Sequence, residues 1–183
     1  SIKERLEIEL HHIKNGDFAT HYLIAHHMVK HMNEAGYYVG ARGMVGSVLV
    51  AFLLGITDIN PMPAHYYCTN CHYFDFDVSV ADGFDLPNKL CPVCGKTLKT
   101  DGHNLPFEFF MGYNGDKMPD IDLNFPSSKQ YAAVEFLQEM FGTDKVAHAG
   151  TISTVIERWA EHYYIAKYEE KNADIFSKEQ REY

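Results

Sequence analysis

Apolar residues recur at helical spacing at the start of the chain. Leu6, Leu10 and Ile13 form one stripe over residues 3–14, which predicts a short amphipathic helix. Phe18, Tyr22, His26 and Val29 form a second stripe, with Asp17 as the expected N-cap and Gly36 as the terminator. Tyr37-Tyr38-Val39 reads as a short strand that enters the glycine-rich turn Gly40-Ala41-Arg42-Gly43. An apolar helix from about Met44 to Leu54 is predicted next, hydrophobic on most sides and therefore buried. Asn60-Pro61-Met62-Pro63 reads as a linker. Met118 to Phe125 is expected to be a second strand. Ser127, with Gln130 three places on, predicts a capping box for a helix that turns Tyr131, Val134, Leu137 and Phe141 inward before Gly142. A third strand is expected over Val146 to Ile152. A last helix is expected from about Thr154, with Glu157 as its box partner and Val155, Trp159 and Tyr163 as its stripe.

Composition narrows the class. Of 183 residues, 46% are hydrophobic and 22% charged, which excludes disorder and leaves ample material for a core. The longest apolar run, Met44 to Ile56, is broken by Gly46, Ser47 and Gly55 and is too short to span a bilayer, so no membrane partner is expected. No basic segment followed by an apolar one opens the chain, which points to the cytoplasm, and Ser1 in place of Met implies processing or trimming. The net charge of −9, from 16 basic and 25 acidic residues, opposes a free-standing nucleic-acid binder. Residues 104–126 carry Glu108, Asp116, Asp120 and Asp122 against the single Lys117. Such a cluster around a strand fits either a cation site or a solvated face.

The cysteines are more decisive. Cys68 and Cys71 form one C-x-x-C, Cys91 and Cys94 another, with nineteen residues between the pairs. Each pair can grip one metal from a tight turn, and together they complete the tetrahedron of a closed, structural zinc site. Asn70 and Gly95 supply the backbone freedom that such turns need. The stretch between the pairs is too polar to build its own core, so metal would supply much of its folding energy. A module over residues 64–103 is expected to be inserted between two strand-helix units.

Two further segments carry candidate chemistry. In Pro119-Asp120-Ile121-Asp122-Leu123-Asn124-Phe125, strand alternation sends Ile121, Leu123 and Phe125 to the core and Asp120, Asp122 and Asn124 to the other face. Carboxylates at i and i+2 stand about 6.5–7 Å apart. That separation lets both reach a pair of Mg²⁺ ions about 4 Å apart, as in-line phosphoryl transfer requires. A half-exposed strand with an acidic outer face is the plainer reading, although like charges side by side disfavour it without a cation. In Gly40-Ala41-Arg42-Gly43-Met44-Val45-Gly46-Ser47, glycines let backbone N–H groups approach an anion, Arg42 can donate a fork to phosphate, and Ser47 has a hydroxyl to offer. A tight turn packed with small residues explains the same glycines equally well. His27 and His31 lie four apart on a helix but have no evident third ligand.

Together these segments resemble the palm region of bacterial replicative DNA polymerases, the family of the DNA polymerase III alpha subunit, and specifically its PolC type. The resemblance rests on RLEIELHHI (5–13), VGARGMVGS (39–47), LLGITDINPMP (53–63), the CTNC and CPVCG pair, NLPFEFFMGYNGDKMPDIDLNF (104–125) and FGTDKVAHAGTISTV (141–155), which occur in the family's order. It implies an α+β palm with the nucleotidyltransferase (polymerase beta-like) fold, in which a mixed sheet is backed by helices. Asp120 and Asp122 would bind catalytic Mg²⁺, and the turn of Arg42, Gly43, Met44, Gly46 and Ser47 would hold the triphosphate. The reaction implied is attack of a primer 3′-hydroxyl on the α-phosphorus of a deoxynucleoside triphosphate. One departure is Met44, where the family has Ser after Arg-Gly. A second is that the family's third carboxylate lies downstream, beyond this chain.

The expectation is thus a DNA polymerase fragment in three parts, 1–63, 64–103 with zinc on Cys68, Cys71, Cys91 and Cys94, and 104–183. Active only within the intact protein, it would work there with primer–template DNA and, through other parts, a sliding clamp. The alternatives are a degenerate relative, a self-sufficient small nucleotidyltransferase using a third acid such as Glu157, and a zinc-ribbon binding module. Residues 64–103 hold five acids against three bases, which fits nucleic acid poorly.

Overall fold

Two helices form at the start for local reasons. The first, α1 (Ile2–Asn15), is closed by a capping box in which the Ser1 hydroxyl accepts from the Glu4 N–H and the Glu4 carboxylate returns to the Ser1 backbone nitrogen. The second, α2 (Ala19–Glu34), begins without the cap expected at Asp17. Only a few residues reverse the chain between the helices, and Asp17 takes the left-handed conformation (φ +57) to do so, which leaves Phe18 at the cap position. At its far end Gly36 (φ +83) closes a Schellman motif, its N–H donating to the Asn33 carbonyl and that of Tyr37 to Met32. The structure, a computed structural model, describes residues 1–150.

The next segment differs from the sequence reading. The strand is not Tyr37–Val39 but β1 (Gly40–Arg42), since the ladder partner lies opposite the glycine-rich stretch itself. The long apolar helix is broken. Residues Gly43–Ser47 form a 3₁₀ turn, Val48 is extended (φ −111, ψ 115), and α3 spans only Leu49–Leu53. Burial is as expected, because Val45 through Ala51 are all buried.

A three-stranded antiparallel sheet follows, in the order β3–β2–β4, with β2 at His65–Tyr67, β3 at Phe74–Asp75 and β4 at Lys99–Asp101. After α4 (Glu108–Met111) comes β5 (Asp122–Asn124), shorter than the strand predicted from Met118. The helix α5 (Gln130–Phe141) starts two residues later than expected, after a 3₁₀ turn over Ser127–Lys129, and Ser127 does not cap it. Its inward face is therefore Ala133, Phe136 and Leu137, whereas Tyr131 and Phe141 are exposed. Residues 146–150 form no strand, and the rest of that expected strand and the last helix lie outside the described residues.

Among the described residues both sheets are antiparallel, so they do not themselves make the mixed sheet expected. No helix there is long and apolar enough to cross a membrane. One core gathers Ile13, Tyr22, Val45, Val48, Val50, Ile56, Phe107, Phe110 and Met111. A second joins Met28, Val29 and Met32 of α2 to Val39 and Ala133. Leu123 packs against both, which fixes the rotation of β5 and with it the face that its polar residues occupy.

Candidate functional site

Strands β1 and β5 pair antiparallel with Gly40 opposite Asn124, Ala41 opposite Leu123 and Arg42 opposite Asp122. Opposed residues share a face. Ala41 and Leu123 turn to the core, while Arg42, Asp122 and Asn124 are exposed. Asp120 lies outside β5 yet keeps the alternation, exposed beside the half-buried Ile121.

The chain leaves β1 through Gly43, whose φ of +79 is one that side-chain-bearing residues seldom adopt. A Cβ built on Gly43 would lie 3.8 Å from Oδ2 of Asp122, so the glycine bend and this carboxylate are immediate neighbours. Met44 is 46% exposed. Gly46 is buried against Ile59, whose Cδ1 would stand 3.1 Å from an added Cβ. Ser47 is 3% exposed, and its hydroxyl donates to the Met44 carbonyl at 2.7 Å. Hence Arg42, Gly43 and Met44 form the open part of the turn, and Gly46 and Ser47 its packed interior.

Arg5 and Glu9 brace this turn, and the sequence reading missed them. Glu9 is fully buried (0% exposed), and its carboxylate accepts from the N–H groups of Leu49 (3.0 Å) and Val50 (2.9 Å), taking up donors that α3 would otherwise leave orphaned. Arg5 Nε donates to Glu9 at 2.5 Å, and its Nη2 donates to the carbonyls of Ser47 (2.7 Å) and Leu105 (3.1 Å). An i,i+4 Arg–Glu pair ordinarily reads as a surface pair. The available signal was its position, since residues 5, 9 and 13 share the helix face that carries Ile13.

The four cysteines converge. Their Sγ atoms all lie within 4.8 Å of one another, Cys68 being 3.5 Å from Cys94 and Cys71 3.4 Å from Cys91. Two similar turns present them. The His72 N–H donates to the Cys68 carbonyl and the Gly95 N–H to that of Cys91, with His72 (φ +58) and Gly95 (φ +71) both left-handed. The first turn therefore uses His72 for the positive φ, rather than Asn70. Burial raises the Cys91 thiol, but N–H groups of Cys94 and Val93 outweigh it and bring the thiol below its ordinary range. Cys94 is lowered by the Lys96 N–H. The Tyr73 N–H pulls Cys71 down, yet burial and the neighbouring thiols push it up to about 12. Four sulfurs so close could hold a metal ion, whose charge would favour thiolate at every position. Among the described residues no other group of three or more His, Cys, Asp or Glu side chains converges in this way.

These features define a mixed α/β unit with four clustered cysteines that could hold a metal and an acidic strand beside a glycine bend. A family model described as the bacterial DNA polymerase III alpha NTPase domain matches residues 1–182, and the chain belongs to that family. Among its relatives, a protein named DNA polymerase III PolC-type from Thermotoga maritima is 50% identical over 183 residues, covering 99% of this chain and 13% of that protein. The Bacillus subtilis protein of the same name is 51% identical over 164 residues, covering 88% of this chain and 11% of that protein. The Mycoplasma genitalium one is 48% identical over 164 residues, with the same 88% and 11% coverage. The chain thus spans about an eighth of the length of these relatives.

Proposed function

We propose that the chain is the palm region of a replicative DNA-directed DNA polymerase, with the nucleotidyltransferase fold, working in the cytoplasm within a longer protein. In that protein the primer 3′-hydroxyl gives up its proton to water and its oxygen bonds to the α-phosphorus of a deoxynucleoside triphosphate, as the bond from that phosphorus to the bridging oxygen breaks and pyrophosphate leaves. Asp120 and Asp122 are the ligands for Mg²⁺, which when bound stabilises charge on the attacking and leaving oxygens. Arg42 offers a fork and Gly43 an approachable backbone to the triphosphate. Met44 lines the bend without a hydroxyl, and Gly46 and Ser47 shape it from within. Cys68, Cys71, Cys91 and Cys94 hold structural zinc, and residues 64–103 form an inserted module around it. Primer–template DNA and a sliding clamp are contacted largely by parts outside this chain. That division fits a net charge of −9.

The observation that supports this reading is the 3.8 Å between the Cβ position of Gly43 and the Asp122 carboxylate, an acid beside a glycine bend. Exchange of residues 1–183 into the Thermotoga maritima relative provides the test by primer extension. The exchanged polymerase should extend a primer, and D120N or D122N should each lower the rate at least about a thousandfold, as loss of charge stabilisation at a phosphoryl-transfer centre does. A D122N enzyme that retains a tenth of the activity would sink the proposal. The isolated chain should not extend a primer, and template-directed synthesis by it would revive the self-sufficient alternative. Glu157, the third acid that this alternative needs, lies outside the described residues.

A further inference from the structure

The bend beside Asp122 is fixed at one end by the β1–β5 ladder. Its other end, Ser47, has its carbonyl held by Arg5 Nη2 at 2.7 Å. The same nitrogen reaches the Leu105 carbonyl at 3.1 Å, where the chain has returned from the cysteine module. That return is itself laced to the outgoing linker, the N–H groups of His103, Asn104 and Leu105 donating to the carbonyls of Asn60, Met62 and Pro61. Nε of Arg5 is held by Glu9, whose carboxylate fixes the two amides that follow the break at Val48. One guanidinium therefore joins helix α1, the end of the bend and the root of the module, with its side chain 21% exposed. Buried ion pairs seldom stabilise a fold more than apolar residues of the same volume, and fixing register is their better-attested use.

We infer that Arg5 is a positioning residue for the Asp122 site: by holding Ser47 and Leu105 together, it sets where the Gly43 bend stands relative to the carboxylate. The inference rests on the divalent-ion reading of that site. Lysine cannot replace Arg5, because a point ammonium does not reproduce a planar fork that meets Glu9 and two carbonyls at once.

The test uses the zinc-loaded chain 1–183 and two readouts: amide hydrogen exchange of residues 45–50, and Mn²⁺ affinity by electron paramagnetic resonance. R5K, with R5Q as a second variant, is compared with the core variant I13V as a control for general destabilisation. The Arg5 variants should raise exchange of residues 45–50 about tenfold relative to α2 amides, the effect of losing one charge-assisted hydrogen bond. They should also weaken Mn²⁺ binding about fivefold, while I13V does neither. Exchange within about twofold of wild type in both Arg5 variants would overturn the inference. So would a loosened bend with unchanged Mn²⁺ affinity, or the same changes in I13V. Wild-type chain that binds no Mn²⁺, with a bend that loosens in R5K, would remove the divalent-ion reading and support the Arg5 tie.

Discussion

Replacing Glu9 with alanine tests the brace directly. The side chain is wholly buried and serves three donors, the N–H groups of Leu49 and Val50 and the Arg5 guanidinium. In E9A two amides lose their acceptor, each costing about 1–3 kcal/mol when buried. Arg5 is left without its counterion, and breaking a buried pair in this way typically costs about 3–5 kcal/mol. The losses overlap because all three donors share one carboxylate, so they do not add. We expect E9A to lose about 4–5 kcal/mol, a large part of the 5–15 kcal/mol that holds a typical domain folded. E9Q keeps the volume and one acceptor oxygen and should lose about half as much. The assay is urea unfolding of metal-loaded chain followed by far-ultraviolet circular dichroism, with slopes compared so that midpoint shifts report stability. A loss below about 1 kcal/mol in E9A would refute the reasoning, since it would mean that water serves these donors as well as the carboxylate does.

Three other outcomes are expected. Chelation of zinc should raise amide exchange over residues 65–101 at least about tenfold more than in α1 and α2, because a metal-held module loses its own folding energy first; simultaneous melting of the whole chain would contradict the inserted-module reading. G102A should lose about 2 kcal/mol or more in thermal unfolding, since Gly102 has a φ of +96 and an added Cβ would lie 2.3 Å from the Pro63 carbonyl oxygen. Asp82 is held below the ordinary carboxylate range by the Phe84 N–H and then by His103, so its stabilisation is complete above the ordinary aspartate value of about 3.9 and is lost as pH falls through the lowered folded value. Accordingly, the gap in melting temperature between wild type and D82N should be constant above about pH 5 and shrink below about pH 4; a gap that widens on acidification would show the sign to be wrong.

Where signals are local, the sequence was legible. Both N-terminal helices follow from apolar spacing, and the cysteine cluster from two C-x-x-C pairs. The outward set of Asp120, Asp122 and Asn124 follows from period-two alternation, even though only Asp122–Asn124 form ladder strand. The errors occur where a distant partner decides. Gly40–Arg42 looks like a turn by composition, yet Asp122–Asn124 lie opposite and pair with it. Residues 44–54 look like one helix by hydropathy, yet Glu9, forty residues upstream of Leu49, takes the first donors of α3 and lets a new helix start there. Ser127 and Gln130 satisfy a capping pattern, but the 3₁₀ turn that follows Pro126 delays the helix to Gln130.

The buried Glu9 carboxylate, rather than the acids on the surface, meets the backbone next to the bend. Asp122 is placed by a strand of three residues, and Leu123, the one of them that packs inward, fixes its rotation against both cores. The bend it faces has no regular hydrogen-bonded element of its own beyond a five-residue turn. A segment that short cannot hold a geometry unaided, because helix nucleation is unfavourable and each fixed residue costs about 1–2 kcal/mol of backbone entropy. Its order must come from neighbours: the ladder at Gly40–Arg42, the core that takes Val45 and Val48, and the Arg5–Glu9 pair at Ser47–Val50. A glycine-rich bend next to an acid is a common local pattern, and here long-range pairing, core packing and the Arg5–Glu9 contacts all meet at it.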